Sequence, residues 1–120
     1  MTRSIIALVD DMMFTSKIRG TAEAIGVVVV FARSINEVCQ KAIMEPVSLI
    51  IADLNLQCCD PFALAEQLKS DSELKAIQLL AFFSHVQTEL GKRAEHAGYD
   101  RVLPRSEFSK NLPLILEGKY

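Results

Sequence analysis

The sequence contains 120 residues, of which 50% are apolar and 23% are charged, and its net charge is −2 at neutral pH. This composition is typical of one globular domain, residues 1–120, with enough apolar residues for a buried core. The small net charge predicts no direct binding to nucleic acid and no basic membrane-binding face. The apolar runs are too short for a signal peptide or a membrane span, and three cysteines, two of them adjacent, suggest no disulfide framework. We therefore expect a cytoplasmic protein.

Five short apolar runs predict five β-strands. They lie at residues 4–9, 27–31, 48–52, 77–83 and 101–103. Polar and apolar residues do not alternate within these runs, which predicts strands that are buried on both faces, as in a parallel sheet.

Helical spacing of apolar residues fills the intervals between the strands. The stripes are Phe14, Ile18, Ala22 and Ile25; then Ile35, Val38, Cys39, Ala42 and Ile43; then Val86, Leu90, Ala94 and Ala97. The end signals agree: Ser34 with Glu37 and Ser84 with Gln87 fit capping boxes, Asp60–Pro61 fits a helix start, and Gly26 and Gly98 fit helix ends. Pro113 predicts that the final helix starts near Lys110, because a proline is tolerated in the first helical turn.

The order of these elements is strand, helix, strand, helix throughout. Right-handed crossovers between successive parallel strands place helices on both faces of the sheet. The sequence therefore predicts an α/β fold with three layers, in which a five-stranded parallel sheet is doubly wound.

Acidic residues stand at the ends of two predicted strands. Asp10 and Asp11 follow the first strand, and Asp53 ends the third. The carboxyl ends of parallel strands meet at one edge of the sheet, where open α/β sheets bind ligands. Crowded carboxylates repel one another and favour a hard divalent cation. The pattern predicts a Mg²⁺ site with a reactive aspartate.

Five features in order resemble the receiver domain of bacterial response regulators, the CheY-like family, over essentially the whole chain. They read Val9-Asp10-Asp11, Ala52-Asp53-Leu54-Asn55, Phe83-Ser84-His85, Ala97-Gly98-Tyr99-Asp100 and Leu103-Pro104-Arg105-Ser106. The resemblance implies the strand order 2-1-3-4-5. It also implies a stand-alone regulator of two-component signalling.

The resemblance further assigns roles to the residues at the acidic edge. Asp53 would accept a phosphoryl group from a sensor histidine kinase or a phosphotransfer protein. Asp10, Asp11, Asp53 and the backbone carbonyl of Asn55 would bind Mg²⁺. Ser84 would hydrogen-bond a phosphoryl oxygen, and Arg105 would stand where the family has lysine. Such a protein is a phosphoacceptor rather than a conventional enzyme, and it would signal through contact with an output protein, with a homodimer expected by analogy.

Several positions depart from the family pattern. Arg105 is not equivalent to lysine, because its planar guanidinium differs from a compact ammonium. Ser106 and Gln57 stand where prolines are common, Val102 replaces the usual switch aromatic, Phe83 falls on the usual hydroxyl position and His85 is bulky where a small residue is usual. These departures support an alternative function, a pseudo-receiver that acts as a protein-interaction module without phosphorylation.

Other interpretations of single residues remain open. Asp11 could cap the first helix, and Ser84 could act only as a helix cap. Cys58 and Cys59 lie beside the acidic site, where carboxylates would raise a thiol pKa and disfavour a redox sensor. An aspartyl-phosphate phosphatase is disfavoured because Asn55 stands where such enzymes carry a second aspartate. A flavin-binding protein is disfavoured because no phosphate loop follows the first strand.

Overall fold

The computed structural model describes residues 3–84 and 88–120. The strands are β1 (Ser4–Leu8), β2 (Val28–Phe31), β3 (Leu49–Asp53), β4 (Gln78–Phe83) and β5 (Arg101–Pro104). The helices are α1 (Met12–Ile25), α2 (Ile35–Met44), α3 (Pro61–Ser70), α4 (Thr88–Ala97), α5 (Arg105–Lys110) and α6 (Leu112–Glu117).

All five strands form one parallel sheet in the order β2-β1-β3-β4-β5. Ile5 of β1, for example, lies between Val29 of β2 and Leu49 of β3. The fold class and the strand order are therefore confirmed. Because the strands are parallel, Asp53 at the end of β3 and the residues that follow β1, β4 and β5 meet at the same edge.

Each face of the sheet has its own hydrophobic core, since successive strand residues point to opposite faces. Ile6 and Ile50 belong to the cluster that also contains buried residues of α2, α3 and α4. Ile5 and Ile51 belong to the cluster that contains buried residues of α1, α5 and α6. The layers are therefore helices, sheet and helices.

The prediction that every strand is buried on both faces is wrong for the two edge strands. Val28 of β2 is 48% exposed, and Arg101 of β5 is also exposed. An edge strand has a neighbour on one side only, so its side chains are covered less completely. The prediction that Ile43 faces the core is also wrong, because Ile43 is 56% exposed at the end of α2.

The helix ends largely follow the predicted signals. The Ser34 hydroxyl accepts a hydrogen bond from the Glu37 N–H at the start of α2, and Asp60 caps α3 just before Pro61. Gly26 ends α1 in the left-handed conformation that a residue without Cβ adopts easily. The predicted pair of Ser84 and Gln87 includes a residue outside the described ranges, as do the predictions for His85 and Val86.

The C-terminal segment contains two short helices instead of one. α5 begins directly after β5, and Pro113 lies in the first turn of α6, where its missing N–H leaves no hydrogen bond unmade. The start predicted near Lys110 is therefore close to the observed start of α6 at Leu112, but the sequence pattern did not predict α5. Phe108 of α5 is completely buried and anchors that helix on the sheet.

Tyr99 joins two parts of the molecule. Its ring is buried, and its hydroxyl donates a 2.7 Å hydrogen bond to the Pro61 carbonyl at the start of α3. The residue before it, Gly98, has φ of +123°, so the chain turns sharply between α4 and β5. This bond fixes the α4–β5 connection onto α3.

None of the helices within residues 3–84 and 88–120 combines the length and the apolar character that a membrane span requires.

Candidate functional site

Asp53 is a buried carboxylate at the carboxyl end of a central strand. It is 1% exposed and is the only buried charged residue in the part of the chain that the structure describes. One carboxylate oxygen accepts a 2.8 Å hydrogen bond from the Asn55 N–H. The other oxygen lies 3.7 Å from a terminal nitrogen of Arg105. Asp53 is therefore fixed in place and paired with one cation.

Burial is the main influence on the ionisation of Asp53. Removal from water raises the pKa of this carboxyl group above its usual value. The Asn55 hydrogen bond and the Arg105 charge lower it, whereas the charges of Asp10 and Asp11 raise it further. The Asn55 hydrogen bond and the Arg105 charge offset the effect of burial on the pKa only in part. Additional positive charge near Asp53 would therefore stabilise the carboxylate.

Asp10 is held by the loop that follows β3. One of its carboxylate oxygens accepts hydrogen bonds of 2.9 and 3.1 Å from the backbone N–H groups of Gln57 and Cys58. Proline has no N–H, so a proline at position 57 could not make the first of these bonds. The departure at Gln57 therefore supplies a donor that connects this loop to Asp10.

Asp11 caps the first helix. One carboxylate oxygen accepts hydrogen bonds from the N–H groups of Met13 and Phe14, at 2.9 and 3.1 Å. The interpretation of Asp11 as a helix cap is confirmed. Capping uses one carboxylate oxygen, so this role and metal binding are chemically compatible.

Arg105 is the first residue of α5, and it is held by an aromatic ring as well as by Asp53. Its guanidinium carbon lies 4.6 Å from the centroid of the Phe14 ring. Phe14 stacks on Phe82, which stacks on Phe108, with centroid separations of 5.1 and 4.3 Å. The guanidinium therefore rests on a rigid aromatic surface, an arrangement that a flat cation favours.

These side chains surround one open cleft of about 350 Å³. The described residues that line it are Asp10, Asp11, Asp53, Asn55, Gln57 and Arg105. The structure thus brings together every predicted residue of the acidic site except Ser84. Ser84 follows β4 at the same edge and is half-buried, but it is not among the residues that line the cleft.

The donor atoms suit a hard divalent cation, because carboxylate and carbonyl oxygens are the ligands that Mg²⁺ prefers. Residues 3–84 and 88–120 nevertheless contain no group of three acidic, histidine or cysteine side chains already close enough to hold a metal. The carboxylates of Asp10 and Asp11 accept hydrogen bonds from backbone N–H groups, which explains why they do not converge with Asp53 on one point. The incomplete charge compensation of Asp53 still fits a cation at this position.

Phe83 occupies the position where the resemblance places a hydroxyl residue. It is buried under α4, and a methyl group added at Gly91 would lie only 3.1 Å from the Phe83 ring. The ring therefore fills the space between β4 and α4 instead of contributing a polar group to the cleft.

Sequence reasoning missed two features of the site. The Phe14 ring beneath Arg105 was assigned only to the core, and the backbone donors at positions 57 and 58 were not expected. The missing proline at Gln57 was the available signal for the donors, since every other residue type supplies an N–H. No local pattern indicated that Phe14 and Arg105 would meet, because they are far apart in the sequence.

Comparison with solved structures identifies the fold. Vibrio cholerae CheY4, a chemotaxis response regulator, has a TM-score of 0.82 and 18% identity, with both chains covered completely. The phosphorylated cyanobacterial phytochrome response regulator RcpA has a TM-score of 0.79 and 20% identity over 98% of this chain and 91% of its own. The receiver domain of the Pseudomonas aeruginosa sensor histidine kinase PA1611, described with magnesium in its active-site cleft, has a TM-score of 0.83 and 14% identity over 98% and 97%.

These matches show that the chain has the fold of CheY-like response regulator receiver domains. At this level of identity the comparison establishes architecture rather than chemistry. No family model and no curated protein matches the sequence.

Proposed function

We propose that this protein is a response regulator receiver of two-component signalling, which accepts a phosphoryl group on Asp53 with Mg²⁺ bound nearby. The observation that carries the proposal is the buried Asp53 carboxylate, which opens into a cleft shared with two further aspartates and faces Arg105. The receiver fold places this cleft at the carboxyl edge of the sheet, where doubly wound proteins bind ligands.

The chemistry follows from the positions of the residues. An oxygen of Asp53 would attack phosphorus, and the bond from phosphorus to the donor nitrogen or oxygen would break with its electron pair leaving on the donor. The product is an acyl phosphate on Asp53. Arg105 would offset charge on the phosphoryl oxygens, and the Asn55 N–H would keep Asp53 oriented.

Asp10, Asp11, Asp53 and the Asn55 carbonyl would hold the Mg²⁺ ion. When bound, Mg²⁺ would supply positive charge that stabilises the crowded oxygens. Two structural relatives support this assignment, since RcpA is described as phosphorylated and the PA1611 receiver as containing magnesium.

The partners follow from this chemistry. The phosphoryl donor would be a sensor histidine kinase or a phosphotransfer protein. The phosphorylated domain would pass the signal to an output protein, or to a second copy of itself, by a shift between two conformations. We place this exchange in the cytoplasm.

Phosphorylation with a small donor tests the proposal directly. The protein is incubated with acetyl phosphate, with and without Mg²⁺, and its intact mass is measured. Wild type should gain one phosphoryl group only with Mg²⁺, and Asp53→Asn should gain none. Asp60→Asn is the matched control, because Asp60 caps α3 and does not line the cleft. Absence of label and of Mg²⁺ binding in wild type would exclude the proposal.

A second candidate function is a pseudo-receiver that binds partners without phosphorylation. The observation in its favour is that Asp53 is already paired with Arg105, while Asp10 and Asp11 are engaged by backbone N–H groups. In that case Asp53→Asn should bind the output protein as tightly as wild type, and acetyl phosphate should not change the affinity. Isothermal titration calorimetry with the identified output protein distinguishes the two functions.

A further inference from the structure

Two adjacent cysteines follow Gln57, one of the residues that line the acidic cleft. Cys58 and Cys59 are in the loop between β3 and α3, and their sulfur atoms are 2.8 Å apart. Adjacent side chains in an extended segment point in opposite directions, so this proximity requires the local bend of the backbone. The loop therefore presents two thiols together.

The pair is accessible from solvent. Cys58 is exposed, and Cys59 is partly exposed, with its thiol directed at the Arg33 carbonyl at 3.8 Å. The third cysteine, Cys39, belongs to α2 and is buried in the core. A reagent that needs two thiols can reach only this pair.

The geometry restricts the class of ligand that the pair can bind. A stable zinc site needs four ligands, and the described part of the chain offers no group of three acidic, histidine or cysteine side chains here. Mercury(II) binds two thiolates in a line, which would require well-separated sulfurs. Trivalent arsenic forms bonds that are nearly perpendicular, so its two sulfur ligands lie close together. The short distance between the Cys58 and Cys59 sulfurs is therefore nearer to the separation that arsenic requires than to the separation that mercury requires, and a small rotation of the side chains would reach it.

We propose that Cys58 and Cys59 form a two-thiol binding site for trivalent arsenicals. The reaction is a condensation: each thiol of the pair replaces one hydroxyl group of R–As(OH)₂. Two As–S bonds form, two As–O bonds break, and two water molecules leave with the thiol protons. Arsenic remains trivalent, so no oxidant or reductant is required.

Condensation does not require a thiolate, because the proton of a neutral thiol departs in the water that is released.

The site is connected to the acidic cleft through the backbone. The N–H groups of Gln57 and Cys58 hold the Asp10 carboxylate, and the arsenical would close a ring across the Cys58–Cys59 peptide. Closing that ring would fix the backbone torsions at Cys58 and Cys59. The N–H groups that now bind Asp10 would then be reoriented. This coupling rests on the proposed function, in which Asp10 helps to bind Mg²⁺. Loss of such supporting hydrogen bonds typically weakens metal binding about 10-fold.

The binding site is tested with phenylarsine oxide and fully reduced protein. Native mass spectrometry should show one phenylarsenic group on wild type, with two thiol protons lost. Cys58→Ser and Cys59→Ser should each bind at least about 100-fold more weakly, because a single thiol loses the advantage of intramolecular closure. Cys39→Ser should bind like wild type. Equal affinity in the Cys58→Ser or Cys59→Ser variant, or no adduct on wild type, would overturn the proposal.

The coupling has a separate readout. Mg²⁺ affinity is measured by calorimetry before and after phenylarsine oxide treatment of wild type and of Cys58→Ser. A roughly 10-fold loss in treated wild type alone supports the coupling, whereas equal affinities would overturn it. If wild type binds no Mg²⁺ even before treatment, the proposed function fails while the mass measurement still decides the two-thiol site.

Discussion

At the scale of single residues, the burial of the Asp53 carboxylate opposes the stability of the fold. A charge with 1% exposure has lost nearly all its hydration, and Arg105 at 3.7 Å compensates for it only in part. Proteins accept such a cost where a reactive group must be poised in a fixed geometry. If no reaction required a carboxylate at position 53, its replacement by an uncharged residue would improve the stability of the fold.

We expect Asp53→Asn to raise the free energy of unfolding by about 1 kcal/mol at pH 7. The amide keeps an oxygen for the Asn55 N–H but removes the buried charge. Arg105 is left unpaired, yet its side chain is 37% exposed and can be hydrated by water. Urea denaturation of wild type and Asp53→Asn measures the difference. A clear loss of stability would mean that the ion pair outweighs the cost of burial.

At the scale of secondary-structure elements, the contact between β4 and α4 is unusually close. Gly91 lies against the Phe83 ring, so a side chain at that position would require the ring or the helix to shift. Gly20, in the middle of α1, has open space around its Cα. The two glycines therefore form a matched pair of helical sites, one crowded and one free.

The pair predicts opposite effects for the same substitution. Gly20→Ala should stabilise the protein by about 1 kcal/mol, the usual gain from replacing glycine inside a helix. Gly91→Ala should destabilise it by about 1 kcal/mol, because crowding against Phe83 outweighs that gain. Thermal unfolding followed by circular dichroism tests both variants. Equal stabilisation by the two substitutions would show that the Phe83 ring moves aside freely.

Tyr99 provides an element-scale prediction that depends on pH. Burial raises the pKa of Tyr99 above its usual value, with a smaller contribution from Asp60. The folded protein therefore holds the phenolic proton more tightly than the unfolded chain does. Its contribution is complete below about pH 10 and declines as the pH rises further.

Tyr99→Phe should cost about 1 kcal/mol at pH 8, because the Pro61 carbonyl loses its partner. The stability gap between wild type and Tyr99→Phe should then narrow above about pH 10. Urea denaturation at a series of pH values follows the gap. A gap that stays constant up to strongly alkaline pH would contradict this account, since titration of the other groups is common to both proteins.

Local sequence signals predicted the elements well and their burial less well. Strand positions and most helix ends were accessible because apolar runs and caps such as Asp60 act locally. The strand order was accessible only through the resemblance to receiver domains. The apolar run at β2 did not indicate the exposure of Val28, because that exposure depends on which strand lies at the edge. The exposure of Ile43 depends on how the end of α2 packs, which local spacing does not determine. α5 escaped prediction because it is short and is held mainly by one residue, Phe108.

The candidate site shows the same division. That the acidic residues would gather at one edge follows from parallel strands, and the structure confirms it for Asp10, Asp11 and Asp53. The orientation of each carboxylate depends on nearby N–H groups that become available only when the loop after β3 folds. The sequence alone therefore predicted the composition of the site but not which partner each oxygen would choose.

At the scale of the whole molecule, a ligand that binds only the folded state raises the stability of the entire chain. Mg²⁺ at the acidic cleft would relieve the repulsion among three aspartates that lie on two segments of the chain, after β1 and at the end of β3. Binding should therefore be visible as global stabilisation, without any need to detect the metal itself.

Excess Mg²⁺ should raise the melting temperature of wild type, and a chelator should reverse the change. At a concentration 100 times the dissociation constant, the expected stabilisation is about 2.7 kcal/mol. Asp53→Asn should lose most of the effect, whereas Asp60→Asn should retain it. A melting temperature of wild type that does not change when Mg²⁺ is added would argue against a metal site.

Tyr99, whose hydroxyl donates a hydrogen bond to the Pro61 carbonyl, also gives the molecule an intrinsic fluorescent probe. The chain has no tryptophan and two tyrosines, so its intrinsic tyrosine fluorescence comes from Tyr99 and Tyr120 alone. Tyr99 is enclosed beside α3, whereas the Tyr120 hydroxyl bonds Glu107 of α5, on the opposite face of the sheet. With Tyr120→Phe, the emission of one buried phenol would follow the α3–α4 layer in real time, without a dye or an added fluorophore.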